Sequence, residues 1–309
     1  MDSGPARRWR AHSGASGRTR CGRGGRAGSA PGSGRSRVST RPLLIATDVD
    51  GTLLDDDERV TPRTREAVSS AVADGARFVL ATGRPPRWIA PVVDGLGFAP
   101  IAVCANGAVI YDPSTDRILS AHTLSAEVLA ELAEITARVI PGAGLAVERV
   151  GAGAHDAVTP QFVSSPGYEH AWLNPDNTEV SLLDLLSEPA IKLLIRRTGA
   201  TSAEMVDALA PHLNGQGDLT YSTDNGLVEV VPHGISKATG VAAIGALDGI
   251  DAGRVLTFGD MPNDIAMLTW AGHGVAMGNA HPEVKAAADE VTATNRDNGL
   301  AVVLERLFG

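Results

Sequence analysis

The sequence predicts an α/β fold: a core sheet of mostly parallel strands, made from two separated stretches of chain, with an α+β domain inserted between them. Three observations predict it. Short apolar runs without alternation, "PLLIA" (42–46) and "ARFVLA" (76–81), suit strands covered on both faces. Helical segments alternate with such runs near both ends of the 309-residue chain, the rhythm of a parallel sheet. In the middle the rhythm stops, and helix, irregular chain and hairpin follow in a different order.

The elements justify this reading in turn. Between the first two runs lies "TPRTREAVSSAVADGA", in which Thr61 can cap a helix, Pro62 suits its first turn and Gly75 its end. "IAVCANGAVIYD" (101–112) reads as strand, turn at Asn106-Gly107, and strand. "LSAEVLAELAEITARV" puts Val128, Leu132, Ile135 and Val139 on one helical face, with Ser125 as cap and Leu124 as staple. Residues 141–180 are rich in Gly, Pro and Asn and show no clear period. "AIKLLIRR" (190–197) is a strand, "TSAEMVDALAPHL" a helix, and "LTYSTDNGLVEVVP" (219–232) a hairpin turning at Asp224-Asn225-Gly226. The first rhythm then returns: helix "SKATGVAAIGALDGI", strand "RVLTFG" (254–259), a loop entering a helix at "DMPNDIAMLTWAG", strand "GVAMGN" (274–279), helix "PEVKAAADE", strand "VTAT" and helix "GLAVVLERLF". The expected division is a catalytic core of 42–121 plus 233–309 and an α+β insert of 122–232, with motion between the two.

Composition narrows the function. Residues 1–41 hold ten Arg and one Asp, and the remainder holds 17 basic and 35 acidic residues. The body is therefore acidic, which argues against nucleic acid as a partner. The Gly-, Ser- and Arg-rich segment 1–41 has almost nothing to bury and is expected to be a disordered basic tail. Arg7-Arg8 is followed by no apolar stretch of the kind an export signal needs. Two cysteines, Cys21 and Cys104, make neither a disulfide framework nor a thiolate metal site. No apolar run is long enough for a bilayer, so a soluble, cytoplasmic protein is expected.

In an open parallel sheet, ligands gather beyond the carboxyl ends of the strands. "PLLIAT" is followed by Asp48 and Asp50, "RFVLA" by Thr82, Gly83 and Arg84, and "RVLTFG" by Asp260, Asn263 and Asp264. Four carboxylates brought to one edge repel one another and call for a cation; oxygen-only ligation suits Mg²⁺. Lys237 stands in the first turn of a helix, where it opposes the dipole, so meeting an anion is its best use. Carboxylates, a hydroxyl, a Lys and Mg²⁺ describe a phosphoryl-transfer site. Taken singly, each also has a plain reading: Asp48 and Asp50 as a strand-end turn, Thr82-Gly83 as a turn, Asp264 as a favourable helix N-terminal acid, and Arg84 as a surface charge. The histidines show no ligand spacing, and Trp88, Trp172 and Trp270 suit packing.

"DVDGTLLD", "ATGR", "HGISKATG" and "FGDMPNDIAML" resemble, in order, the four motifs of haloacid dehalogenase (HAD) superfamily phosphatases. "CANGAVIYD", "GVAMGNA" and "VTATN" are similar to the Cof-type branch, subfamily IIB. The resemblance covers most of 42–309 and is weakest in the insert. It implies a Rossmann-like parallel core (the HAD fold) with a C2B-type cap at 122–232. It implies that Asp48 is the nucleophile and forms an aspartyl-phosphate, and that Asp50 is the acid and base, its carbonyl also a metal ligand. It further implies that Thr82, Gly83, Lys237 and Asn263 hold phosphate, and that Asp48, Asp50, Asp260 and Asp264 hold Mg²⁺. The implied function is a phosphomonoesterase for small phosphorylated metabolites, sugar phosphates first and cofactor phosphates such as pyridoxal phosphate or FMN second. A phosphomutase and a non-catalytic phospholigand-binding protein are the alternatives. The substrate-reading residues of the insert and the oligomeric state are not legible.

Overall fold

Strand β1 (Leu44–Thr47) is the centre of an eight-stranded sheet. The structure is a computed structural model that describes residues 41–172 and 174–309; all but the last residue of the expected basic tail lies outside the described residues. After β1 come α1 (Pro62–Ala73), β2 (Arg77–Ala81), α2 (Ala90–Leu96), β3 (Ile101–Cys104), β4 (Val109–Asp112) and β5 (Arg117–Ala121). The insert contributes α3 (Ala126–Val139), β6 (Gly144–Glu148), β7 (Phe162–Ser164), β8 (Asn177–Glu179), α4 (Leu182–Leu186), β9 (Lys192–Arg196), α5 (Ser202–Leu209), β10 (Asp218–Thr220) and β11 (Leu227–Val231). The chain then adds α6 (Lys237–Leu247), β12 (Val255–Gly259), α7 (Ile265–Trp270), β13 (His273–Ala276), α8 (Pro282–Ala287), β14 (Glu290–Val291) and α9 (Gly299–Phe308).

The large sheet runs β14-β13-β12-β1-β2-β3-β4-β5, parallel as far as β3 and antiparallel beyond it. The α/β fold class expected from the sequence is thus the one observed. Alternate residues of each strand enter different cores. Ile45, Phe78, Leu80 and Phe258 join the layer that includes α1 and α9 residues; Leu44, Ala46, Val79 and Val255 join the layer of α6 and α7. Burial on both faces is why these strands read as unbroken apolar runs. Thr61 caps α1 by accepting from the Thr64 amide, with Pro62 first in the helix, as the sequence indicates.

The second sheet runs β10-β11-β9-β6-β7-β8. One face packs Leu145, Val147, Leu193, Ile195, Val228 and Val230 against α3 and α5. The alternate positions point the other way and carry Glu148, Lys192 and Glu229, each 2% exposed. Three buried charges on the helix-free face must find partners, and they find them in the first body, as described below.

Several expectations need correction. β5 was not foreseen, because its edge-strand burial alternates and half its residues face out. Strands β6, β7 and β8 lie in the stretch that shows no period. The last strand is the two-residue Glu290–Val291 instead of "VTAT", and β13 ends at Ala276. The expected stripe of α3 does face the core, with Leu132 and Ile135 buried and Val128 and Val139 packed against them, and the buried face extends to Leu129, Ala133 and Thr136. Among the described residues no helix is long and apolar enough to cross a membrane.

Candidate active site

The site begins where β1 ends. Thr47 pairs with Phe258 of β12 on one side and Leu80 of β2 on the other, all parallel. The residues that follow these three strands, Asp48, Asp260 and Thr82, therefore emerge at one edge. The chain also leaves β1 in both directions here, towards β2 and β3 on one side and towards β12 and β13 on the other. Such a switch point opens a crevice between the strand ends.

After Asp48 the backbone turns sharply. Gly51 has φ of +72°, and a Cβ there would overlap Oδ2 of Asp260. Thr52, 2% exposed, donates from Oγ1 to Oδ1 of Asp260 at 2.9 Å. The turn thus brings the first acidic segment against the second, more than two hundred residues away. Gly107, φ +105°, plays the same part for the third: a Cβ would overlap the carbonyl of Ser236, so the β3–β4 turn packs against the start of α6. Ser236 caps that helix through the Thr239 amide and places Lys237 first in it.

Lys237 is 1% exposed, and its Nζ donates to Oδ1 of Asp48 and Oδ1 of Asp264, each at 2.7 Å. Asp264 is fully buried, and its Oδ2 accepts from the amides of Asp260 and Met261 at 3.0 Å. Asp48, Asp260 and Asp264 each offer an oxygen within 4.8 Å of the others. Three carboxylates share one ammonium. Burial and then Asp264 raise the Asp48 carboxyl well above its usual range, and Lys237 only partly offsets them. Burial and then Asp264 push Asp260 up to about 7. Burial alone would lower Lys237, but Asp264 and Asp48 outweigh it and hold the ammonium above its ordinary pKa. An ion pair by itself would lower Asp48; burial first, and then the neighbouring carboxylates, outweigh it. A hard divalent cation fits this all-oxygen, over-acidic donor set.

Of the residues singled out by sequence, Asp48, Lys237, Asp260 and Asp264 are brought together. Thr82, fully buried, lies in the adjacent loop, where its Oγ1 accepts from the Arg84 amide at 3.0 Å. Gly83 follows it, with its carbonyl facing Lys192 at 3.0 Å. Asn263 donates from Nδ2 to Oδ1 of Asn106 at 3.0 Å, and its own Oδ1 is buried without a partner. Asp50 stands apart. Its carboxylate is 55% exposed and is gripped by Arg84, with Nε at 2.9 Å from Oδ2. Arg84 is thus neither a free surface charge nor a group turned only to a ligand.

Sequence reasoning gave no role to Thr52, although it belongs to the first motif. It also passed over Lys192 and Glu229. Each is a lone charge inside an apolar strand, which is the signal that was available: a buried charge requires a partner. A further tie between the segment after β2 and the second sheet, Arg87 to Glu148 with Nη1 at 2.7 Å from Oε2, is of the same kind.

Known proteins resemble this chain over most of its length. A family profile described as haloacid dehalogenase-like hydrolase matches residues 45–304. A 5-amino-6-(5-phospho-D-ribitylamino)uracil phosphatase from Bacillus subtilis (strain 168) is 30% identical over 278 residues, covering 88% of this chain and 99% of that protein. A solved haloacid dehalogenase-like hydrolase from Bacteroides thetaiotaomicron is 28% identical with a TM-score of 0.66, covering 87% of this chain and 100% of the other. A solved HAD subclass IIB sugar phosphatase superposes with a TM-score of 0.68 at 23% identity, covering 86% of this chain and 98% of its own.

Proposed function

Because the chain belongs to the haloacid dehalogenase-like hydrolase family and is a phosphatase, we propose that it is a Mg²⁺-dependent phosphomonoesterase that works through a phosphorylated Asp48. The observation that carries this reading is the Lys237 ammonium, 2.7 Å from both Asp48 and Asp264, beside Asp260. A structural ion pair needs one carboxylate; two on one Lys, with a third within 4.8 Å of both, suit a cation and a phosphate together.

Asp48, Asp260 and Asp264, with the Asp50 carbonyl, would hold Mg²⁺, which supplies charge neutralisation to the phosphate oxygens. The side chains do the rest. Thr82 has a hydroxyl proton not used in its bond from Arg84, and with the Gly83 amide and Asn263 it holds the phosphate oxygens. Lys237 keeps Oδ1 of Asp48 fixed and screens its approach to phosphorus. Asp48 attacks, the bond from phosphorus to the leaving oxygen breaks, and protonated Asp50 gives that oxygen its proton. Asp50 then takes a proton from a water that attacks the phosphorylated Asp48, and inorganic phosphate leaves. In this structure Asp50 lies at Arg84, so its side chain must turn inward to act. The insert, 122–232, serves as a cap over the core formed by 42–121 and 233–309, and its closure excludes bulk water.

The substrate is a small phosphorylated metabolite of the cytoplasm. The Bacillus relative acts on a phosphate carried by a ribityl chain, and a structural neighbour is a sugar phosphatase. A phosphorylated sugar or sugar-like polyol is therefore the first substrate class here, with cofactor phosphates second. The test is phosphate release from a panel of sugar, polyol and cofactor phosphates, with Mg²⁺ and with EDTA, beside Asp48→Asn. The reading expects turnover that EDTA stops, Mg²⁺ restores and Asp48→Asn abolishes. Phosphate moved to a second carbon of the substrate, with none released, would make the protein a phosphomutase.

A further inference from the structure

The cap face that carries Lys192 and Glu229 meets the core at the phosphate-side loops. Lys192 donates from Nζ to Oε1 of Glu229 within the cap and to the Gly83 carbonyl of the core at 3.0 Å. Glu229 accepts at Oε2 from Nδ2 of Asn106 at 3.0 Å, and Asn106 in turn accepts at Oδ1 from Nδ2 of Asn263 at 3.0 Å. Lys192, Glu229 and Asn106 are 2% exposed and Asn263 is 9% exposed. Asn106 sits in the tight β3–β4 turn with φ of +56°, held there by its amide's bond to the Thr82 carbonyl at 3.0 Å.

The direction of this chain is fixed at one end. A carboxylate can only accept, so Asn106 must turn its NH₂ towards Glu229 and its oxygen towards Asn263. Asn263 must then spend one N–H on Asn106. It is left with its second N–H and an unpartnered, buried oxygen. A buried polar atom without a partner marks a place completed by something else.

We propose that Lys192 and Glu229 are positioning residues for the phosphate-holding loops: by closing on Gly83 and Asn106, the cap sets the orientation of Asn263 and of the Thr82–Gly83 loop. This rests on the phosphatase reading above. The second N–H of Asn263, left over from its bond to Asn106, is then the one aimed at a phosphate oxygen. Cap closure on this account assembles part of the phosphate site as well as excluding water, and it does so whatever the leaving group.

That last clause supplies the test. Acetyl phosphate has a leaving group too small to be read by a cap. Two variants are compared with wild type: Glu229→Gln, which keeps shape but can donate, and the double variant Lys192→Met with Glu229→Leu, which removes both buried charges together and so leaves none unpaired. Glu148→Gln, at the other cap-to-core tie, is the control for loosened closure alone. Misplacing a phosphate-holding group by about 1 Å costs on the order of 10–100-fold. The expected result is a fall of that size in kcat for acetyl phosphate in both variants, a matching rise in the Ki for inorganic phosphate, a lowered Tm in Glu229→Gln, where Lys192 is left buried without its carboxylate, but a smaller change in Tm in the double variant, and a change in kcat of less than about twofold in Glu148→Gln. Unchanged kcat on acetyl phosphate, with a raised KM only for sugar phosphates, would overturn the proposal and make the pair a leaving-group reader. An equal loss in Glu148→Gln would overturn it in favour of closure alone. Calorimetric binding of inorganic phosphate to the Mg²⁺-loaded proteins reads the same loops without turnover. If wild type hydrolyses nothing in the panel, the phosphatase reading fails separately, and unequal phosphate binding between wild type and variants still decides this one.

Discussion

Adding Mg²⁺ should stabilise the protein in a strongly pH-dependent way, and replacing Asp260 should remove the effect. Two carboxylates within 4.8 Å repel by about 3.5 kcal/mol at an effective dielectric of ~20. Asp260, raised from 3.8 to about 7, corresponds to about 4 kcal/mol against ionisation. Burial is the larger cause of that shift, and repulsion from Asp264 adds to it. The sign follows from the direction of the shift. A carboxyl raised on folding makes the metal-free native state bind more protons than the unfolded chain between about pH 4 and pH 7. Metal-free stability therefore falls as pH rises through that window, and a cation that replaces the proton contributes most above it. At pH 8 and a hundredfold excess over Kd, the gain is about 2.7 kcal/mol. In a chain of 309 residues that is a rise in Tm of about 4 °C. At pH 5.5 only about 3% of Asp260 is ionised, so apparent affinity drops about thirtyfold and the gain shrinks to about 1 kcal/mol. Differential scanning fluorimetry with and without Mg²⁺ at the two pH values measures this. Asp260→Asn should show almost no Mg²⁺ shift at either pH and should be more stable than wild type at pH 8 without metal. A shift in wild type independent of pH, or one retained by Asp260→Asn, would refute the reasoning.

Further outcomes follow from the same geometry. Lys237→Met leaves Asp48 and Asp264 buried without their ammonium, a change of about 3–5 kcal/mol in metal-free stability; Mg²⁺ should restore much of the Tm and none of the phosphate release. Gly51→Ala forces a Cβ onto Asp260 at a backbone angle that disfavours it, so it should cost about 1–3 kcal/mol and abolish the Mg²⁺ shift, both visible in one melting series. Gly107→Ala pushes the β3–β4 turn off the Ser236 carbonyl at the start of α6; kcat should drop about tenfold or more while the substrate KM changes less.

What could be read from the sequence had a local signature. Asp48 and Asp260 end runs of buried apolar residues, and Lys237 opposes a helix dipole; each has a local signal, and the carboxylates gain weight from recurring at several strand ends. The core strands were legible because both faces are covered, which erases alternation. The cap was not. Its β7 and β8 are three residues long, and their stability comes from partners far along the chain, which no local window contains. Lys192 and Glu229 neutralise each other across 37 positions, so each looks like an isolated charge until the sheet sets them side by side. Asp50 was expected to turn to the reacting oxygen; its pairing with Arg84 depends on the spacing of β1 and β2 loops, which the sequence does not print. The non-catalytic reading raised by the sequence is set aside by the hydrolase family match and the phosphatase relative from Bacillus subtilis.

The most direct measurement is a rapid acid quench of wild type with a phosphate-labelled substrate during turnover, followed by peptide mapping. The account expects hydroxylamine-sensitive label on the peptide containing Asp48, formed before free phosphate appears and missing in Asp48→Asn. Phosphate released at full rate with no label ever on that peptide, or turnover retained by Asp48→Asn, would contradict it.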